Sequence, residues 1–115
     1  MHEISIAMSI IELAEEESRR HGGLRIAAVH LRLGLLSGVV KDALLFSYGI
    51  ACADTPLAGS RLVVEEVPGV IYCPACNGRR PVCSSEWYRC SECGSLASEI
   101  VQGKELEVVS LEVEQ

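Results

Sequence analysis

The sequence predicts an α+β protein, with a small mixed three-stranded sheet and two helices into which a zinc-ribbon-like four-cysteine domain is inserted. Three observations carry this. Residues 3–21 repeat apolar positions at the helical period, and residues 24–35 alternate like a half-buried strand. Two C-x2-C pairs fall between two further strand-like segments.

In residues 3–21, Ile4, Ala7, Met8, Ile11 and Ala14 form one helical stripe, widened by Ile6, Ile10 and Leu13. Glu12, Glu15, Glu16 and Glu17 read as a solvated face. Arg19, Arg20 and His21 fall at the end, where cations complement the helix dipole, and Gly22-Gly23 supplies the stop. Residues 24–35 place Ala27, Val29, Leu31, Leu33 and Leu35 on a core face, with His30 and Arg32 opposite and Arg25 at the start of the strand. A second helix over residues 39–53 runs through Val40, Ala43, Leu44, Ile50 and Ala51, with Cys52 as a small buried hydrophobe. Thr55-Pro56 and Gly59 make a turn into a strand over residues 62–67. The last strand, residues 105–113, switches apolar parity between Val108 and Val109, which a bulge or a two-sided strand would explain. The cysteines lie between these last two strands. The first domain is therefore expected to be discontinuous, residues 1–69 and 103–115, around an inserted domain over residues 70–102.

Cys73, Cys76, Cys90 and Cys93 spell C-x2-C-x13-C-x2-C, the spacing in which two tight knuckles present four thiolates to one tetrahedral ion. Four protein ligands leave no position for an activated water, so the expected ion is structural zinc. Iron in a rubredoxin-like site and a redox dithiol pair are the competing readings. Cys83, in the same loop, reads as a spare ligand or a small exposed residue. His30 reads as a satisfied surface histidine.

Met1-His2-Glu3 offers a second donor set. The Met1 amine and the His2 amide nitrogen close a five-membered ring on a metal, and that amide with the His2 imidazole closes a six-membered one. Such a planar nitrogen set favours Ni(II) or Cu(II) over Zn(II). A Glu3 amide or carboxylate, a water or a partner group would fill the fourth position. The competing reading makes His2 the second residue of a frayed terminus.

Composition narrows the class. At 115 residues the chain fits one ordinary domain, or one small core plus a metal-stapled appendage, and with 49% hydrophobic but 4% aromatic residues its packing rests on aliphatic side chains. A net charge of −6 opposes generic nucleic-acid binding, which needs Lys and Arg to neutralise phosphate. No apolar run reaches the roughly 18 residues of a membrane span, and no signal-peptide pattern opens the chain, so a cytoplasmic location is expected. Phosphate-loop and nucleophile-elbow motifs are absent from the sequence, and nothing in it reads as an enzyme.

M-H-E-I-S-I-A-M-S-I-I-E-L at the start, L-G-L-L-S-G-V at residues 33–39, the twin knuckles and the closing G-K-E-L-E-V-V-S-L-E-V closely resemble the HypA/HybF family across essentially the whole chain. The resemblance implies a nickel metallochaperone for maturation of nickel-iron hydrogenase. By that resemblance His2 is the main nickel ligand, assisted by the Met1 amine and nearby main-chain nitrogens including that of Glu3. Cys73, Cys76, Cys90 and Cys93 would hold structural zinc. The implied partners are a GTPase of the HypB type, supplying the nucleotide-binding loop this chain lacks, and the hydrogenase large subunit that receives the ion. Leu35 and Gly49 stand where the family commonly carries Glu, and no histidine flanks the knuckles as in some members. Two rival functions remain at this level. One is a zinc-ribbon nucleic-acid module using Arg79, Arg80, Trp87, Tyr88 and Arg89; the other is a structural adaptor for the GTPase with His2 incidental.

Overall fold

A computed structural model describes residues 2–82 and 88–114, so the expectations for Met1, Cys83 and Trp87 lie outside the described residues. The element order is α1 (Glu3–Arg20), β1 (Ile26–Gly34), α2 (Lys41–Ala51), β2 (Arg61–Val67), β3 (Gly69–Cys73), β4 (Gly78–Val82), β5 (Glu99–Gln102) and β6 (Leu106–Val113). They form two three-stranded sheets, ordered β2-β1-β6 and β4-β3-β5. The chain divides into two compact units: Met1–Leu31, Val40–Glu65 and Glu107–Gln115 make one, Arg32–Val39 and Glu66–Leu106 the other.

In the first unit α1 buries Ile6, Ala7, Ile10, Ile11 and Ala14, spaced three and four apart on one face, and packs against α2. Ile4, Met8 and Leu13, expected on the buried stripe, are 41%, 53% and 47% exposed. The buried arc is turned toward Ile6 and Ile10, expected only to widen the stripe, and away from Ile4 and Met8. The helix ends in a Schellman motif: Gly23 N–H donates to Ser18 O at 2.8 Å and Gly22 N–H to Arg19 O at 3.3 Å, with Gly22 at φ 85°. β1 is the central strand, and Ala28 and Val29 are both fully buried. Consecutive strand residues face opposite ways, so β1 is covered on both sides there, whereas Leu35 lies beyond the strand and is 52% exposed. β6 is an edge strand with only Val108 and Leu111 half-buried, on opposite parities, which fits the two-sided alternative. α2 is shorter than expected: Val40 is its extended N-cap and Cys52, buried, its C-cap.

In the second unit β3 pairs antiparallel with β4, Cys73 opposite Gly78, and with β5, Tyr72 opposite Glu99. Leu36, Ile71 and Val82 form its small core, with Tyr88, Ala97 and Ile100 packed against them. Residues 32–39 belong here because Leu35 N–H donates to Val67 O at 2.9 Å and Leu36 N–H to Gly103 O at 2.7 Å. Gly34 is required by this crossing: a Cβ on it would stand 1.9 Å from Gly103 O.

Gly34→Ala is expected to cost about 3 kcal/mol, the upper end for overpacking against unyielding backbone. Gly49→Ala, where a Cβ meets nothing within 4 Å in α2, should instead add about 0.5–1 kcal/mol from helix propensity. Urea denaturation of the two variants beside the parent checks the opposite signs.

Candidate metal centre

The four cysteines sit on two knuckles built alike. Cys73 ends β3, and Cys76 N–H turns back to its sulfur at 3.4 Å. Asn77 follows in the left-handed region at φ 55°, with the Tyr72 hydroxyl bonded to its side chain, and β4 then begins. In the second knuckle Glu92 N–H points to the Cys90 sulfur at 3.4 Å and Gly94 takes φ 74°. Cys90 N–H donates to Ser95 O at 2.8 Å and Ala97 N–H to Tyr88 O at 2.8 Å, closing a second hairpin. A chain that must reverse directly after its second cysteine needs a residue that tolerates positive φ, and Asn77 and Gly94 meet that need. That pair was a readable sequence signal for both knuckles.

All four sulfurs lie within 4.8 Å of one another. Cys73 and Cys93 Sγ are 3.5 Å apart and Cys76 and Cys90 Sγ 3.8 Å. Metal–sulfur bonds of about 2.3 Å at the tetrahedral angle give sulfur–sulfur edges of about 3.8 Å, so the quartet fits a single tetrahedral cation. These separations are far beyond a disulfide bond of about 2.05 Å, and the described cysteines are all free thiols. Cys73 and Cys90 are buried, Cys76 half-buried and Cys93 exposed. The Ser95 hydroxyl and N–H hold the Cys93 thiol down to about 6, while hydrogen bonds from the sulfurs of Cys93 and Cys90 push Cys76 up to about 12. Four would-be anions share one small volume, the condition that a bound dication relieves.

Three residues of the basic and aromatic group are spoken for within this unit. Arg80 Nη2 is 3.0 Å from Glu92 Oε2, Arg89 Nη1 donates to Gly94 O at 3.0 Å, and Tyr88 packs on the core.

Of the candidate amino-terminal donors, His2 and Glu3 stand at the start of α1. His2 is the exposed N-cap, extended at φ −86° and ψ 117°, and its carbonyl accepts the first helical bonds from Ser5 and Ile6 N–H at 3.1 and 3.3 Å. The amides of Glu3 and Ile4 precede those bonds, as the first N–H groups of any helix do. Glu3 is half-buried, and its Oε2 accepts from Val40 N–H at 3.2 Å, joining the start of α1 to the start of α2. That hydrogen bond is the main reason its carboxyl titrates below the usual range. The other histidines are engaged elsewhere: His30 Nε2 is 2.8 Å from Glu112 Oε1 and His21 Nε2 3.5 Å from Glu17 Oε2. Glu15, Glu16 and Glu17 pair with Arg19 and Arg20 along the helix rather than converging on a point.

Comparison with known proteins places this arrangement. The family model described as HypA, hydrogenase/urease nickel incorporation, metallochaperone, matches residues 1–113. Hydrogenase maturation factor HypA of Chloroflexus aurantiacus is 49% identical over 112 residues, covering 97% of this chain and 98% of that protein. Its counterpart from Geobacter metallireducens is 44% identical over 114 residues, covering 99% and 100%. The solution structure of the Ni metallochaperone HypA from Helicobacter pylori superposes with a TM-score of 0.67 over 98% of this chain and 97% of that one, at 24% identity, which shows the shared fold. No described helix is long and apolar enough to cross a membrane.

Because the Glu3 carboxylate is stabilised when folded, its contribution is present at neutral pH and lost as pH falls through its lowered value, below the ordinary carboxylate value of about 4.3. Glu3→Gln should therefore lower the melting temperature of metal-free protein at pH 7, with the gap to the parent closing towards pH 3. A gap of constant size across that range would show that packing, not ionisation, is what Glu3 contributes.

Proposed function

This chain belongs to the HypA family of nickel-incorporation metallochaperones acting in hydrogenase maturation, and on that premise we propose that it carries Ni(II) on Met1, His2 and Glu3 and delivers it, with a GTPase of the HypB type, to the large subunit of nickel-iron hydrogenase. The observation that carries the proposal is the state of His2, an exposed imidazole on the N-cap of an 18-residue helix, next to main-chain amides that the helix itself leaves unused. The donors are the Met1 amine, the His2 amide and imidazole nitrogens, and the Glu3 amide. The Glu3 carboxylate is already bonded to Val40 and braces the claw instead of closing it.

A planar nitrogen set suits a square-preferring ion, and exposure permits release by ligand exchange to softer thiolates on the acceptor. Copper(II) outranks nickel(II) on such ligands, so selectivity falls to metal supply and docking. The protein catalyses no reaction of its own; nucleotide hydrolysis belongs to the GTPase. Urease assembly is the second reading, since the family description joins it to hydrogenase, but the relatives named above are hydrogenase maturation factors.

Cys73, Cys76, Cys90 and Cys93 hold zinc in this reading. Zinc supplies a cross-link between the two knuckles and leaves no position open for substrate. The thiolates require a reducing compartment, which makes the protein cytoplasmic.

Protein with a native, untagged start should bind one nickel, whereas His2→Ala or an extension of a few residues before Met1 abolishes uptake and leaves one zinc per chain. Equal nickel affinity in all three, measured by equilibrium dialysis and metal analysis, overturns the claw. Uptake should also fall from pH 8 to pH 5, because an imidazole must be neutral to ligate. Zinc-loaded protein should be colourless; a red sample rich in iron would replace zinc with a rubredoxin-like assignment.

A further inference from the structure

Arg80 lies on β4, the strand leaving the first knuckle, with its side chain only 25% exposed. Its Nη1 donates to Arg79 O at 2.8 Å and its Nη2 lies 3.0 Å from Glu92 Oε2, inside the second knuckle. Gly78 makes room for this pose, since a Cβ there would stand 3.0 Å from Nη1. Nε is buried with no hydrogen-bond partner. An N–H removed from water is costly without an acceptor, and Glu92, which pairs with the guanidinium, directs its own N–H at the Cys90 sulfur from 3.4 Å. The guanidinium is thus held between the two knuckles although it grows from only one of them.

Four thiolates around a dication leave a net charge of −2 on the centre. Donors and fixed cations beside such sulfurs offset that charge, making the thiolates poorer targets for protons, electrophiles and competing chelators. We propose that Arg80 is a positioning residue for the four-cysteine metal, its guanidinium, held on its own strand by Arg79 O, screening the sulfurs and slowing metal loss, with Glu92 partly neutralising it. This rests on the zinc reading above. It also gives Glu92 a role opposed to that of Arg80: the cation protects the centre, and the carboxylate tempers the protection. A plain surface ion pair between knuckles would behave differently, because removing either partner would loosen the site in the same way.

The test uses full-length zinc-loaded protein, with zinc transfer to the chromogenic chelator 4-(2-pyridylazo)resorcinol and cysteine alkylation by iodoacetamide as readouts. Arg80→Gln should raise both rates roughly 10-fold or more, as removal of an outer partner of a metal ligand commonly does. Arg80→Lys, which keeps the charge but not the planar donors, should fall between Gln and the parent. Glu92→Gln should be no faster than the parent. Acceleration by Glu92→Gln to match Arg80→Gln, or unchanged rates in Arg80→Gln, overturns the proposal. If Arg80→Gln fails to fold, the signs of Arg80→Lys and Glu92→Gln decide it alone. Parent protein without stoichiometric zinc would overturn the zinc reading and this proposal together; stoichiometric zinc with unaltered rates overturns this proposal only.

Discussion

Four sulfurs within 4.8 Å of one another cannot all ionise unless a cation sits among them. The second unit depends on that constraint. Its apolar core is small, built on Leu36, Ile71 and Val82 with Tyr88, Ala97 and Ile100 packed around them, and its strands are short. Structural zinc in peptides of this kind contributes about 10–16 kcal/mol of apparent binding energy, several times the roughly 1.5–3 kcal/mol that any one aliphatic side chain supplies by full burial. The knuckle turns, the left-handed Asn77 and Gly94 and the straps from Arg80 and Arg89 all serve to bring the sulfurs to one point.

The proposed amino-terminal site would work on a contrary principle. A resident ion needs every ligand position filled and the sulfurs sheltered; a transported ion needs donors at the surface and a route away. On the proposed nickel reading His2 answers the second need, being exposed while its carbonyl is fixed by two helical hydrogen bonds. On that reading, nitrogen donors at the amino terminus and soft thiolates in the knuckles also keep two metal chemistries apart, since each set prefers a different ion and geometry. Glu3 links donor placement to fold: bonding to Val40 makes it part of the scaffold joining α1 and α2.

Much of this was legible in the chain. The C-x2-C pairs announced four clustered thiolates because tight knuckles are local structures, fixed by a few consecutive residues. The stop at Gly22-Gly23 was equally local, and the structure shows a full Schellman cap there. Patterns that depend on distant neighbours fared worse. Ile4 and Met8 looked like core residues by spacing, yet they are exposed because the packing of α2 on α1 sets which arc is covered. Leu35 continued the alternation of β1, but its backbone leaves the strand to bond with Val67.

By itself the sequence determined the donor chemistry: an imidazole in second place, thiolates in pairs, and a helix beginning beside the first and turns framing the others. Those are matters of covalent order and local backbone preference, which neighbours along the chain decide. Tertiary structure alone decided which donors remain free. It engaged the Glu3 carboxylate with Val40, and it turned Arg80 from a surface cation into a guanidinium packed between the knuckles. Both outcomes rest on contacts between residues far apart in the chain, 37 positions in the case of Glu3, and no periodicity records such contacts.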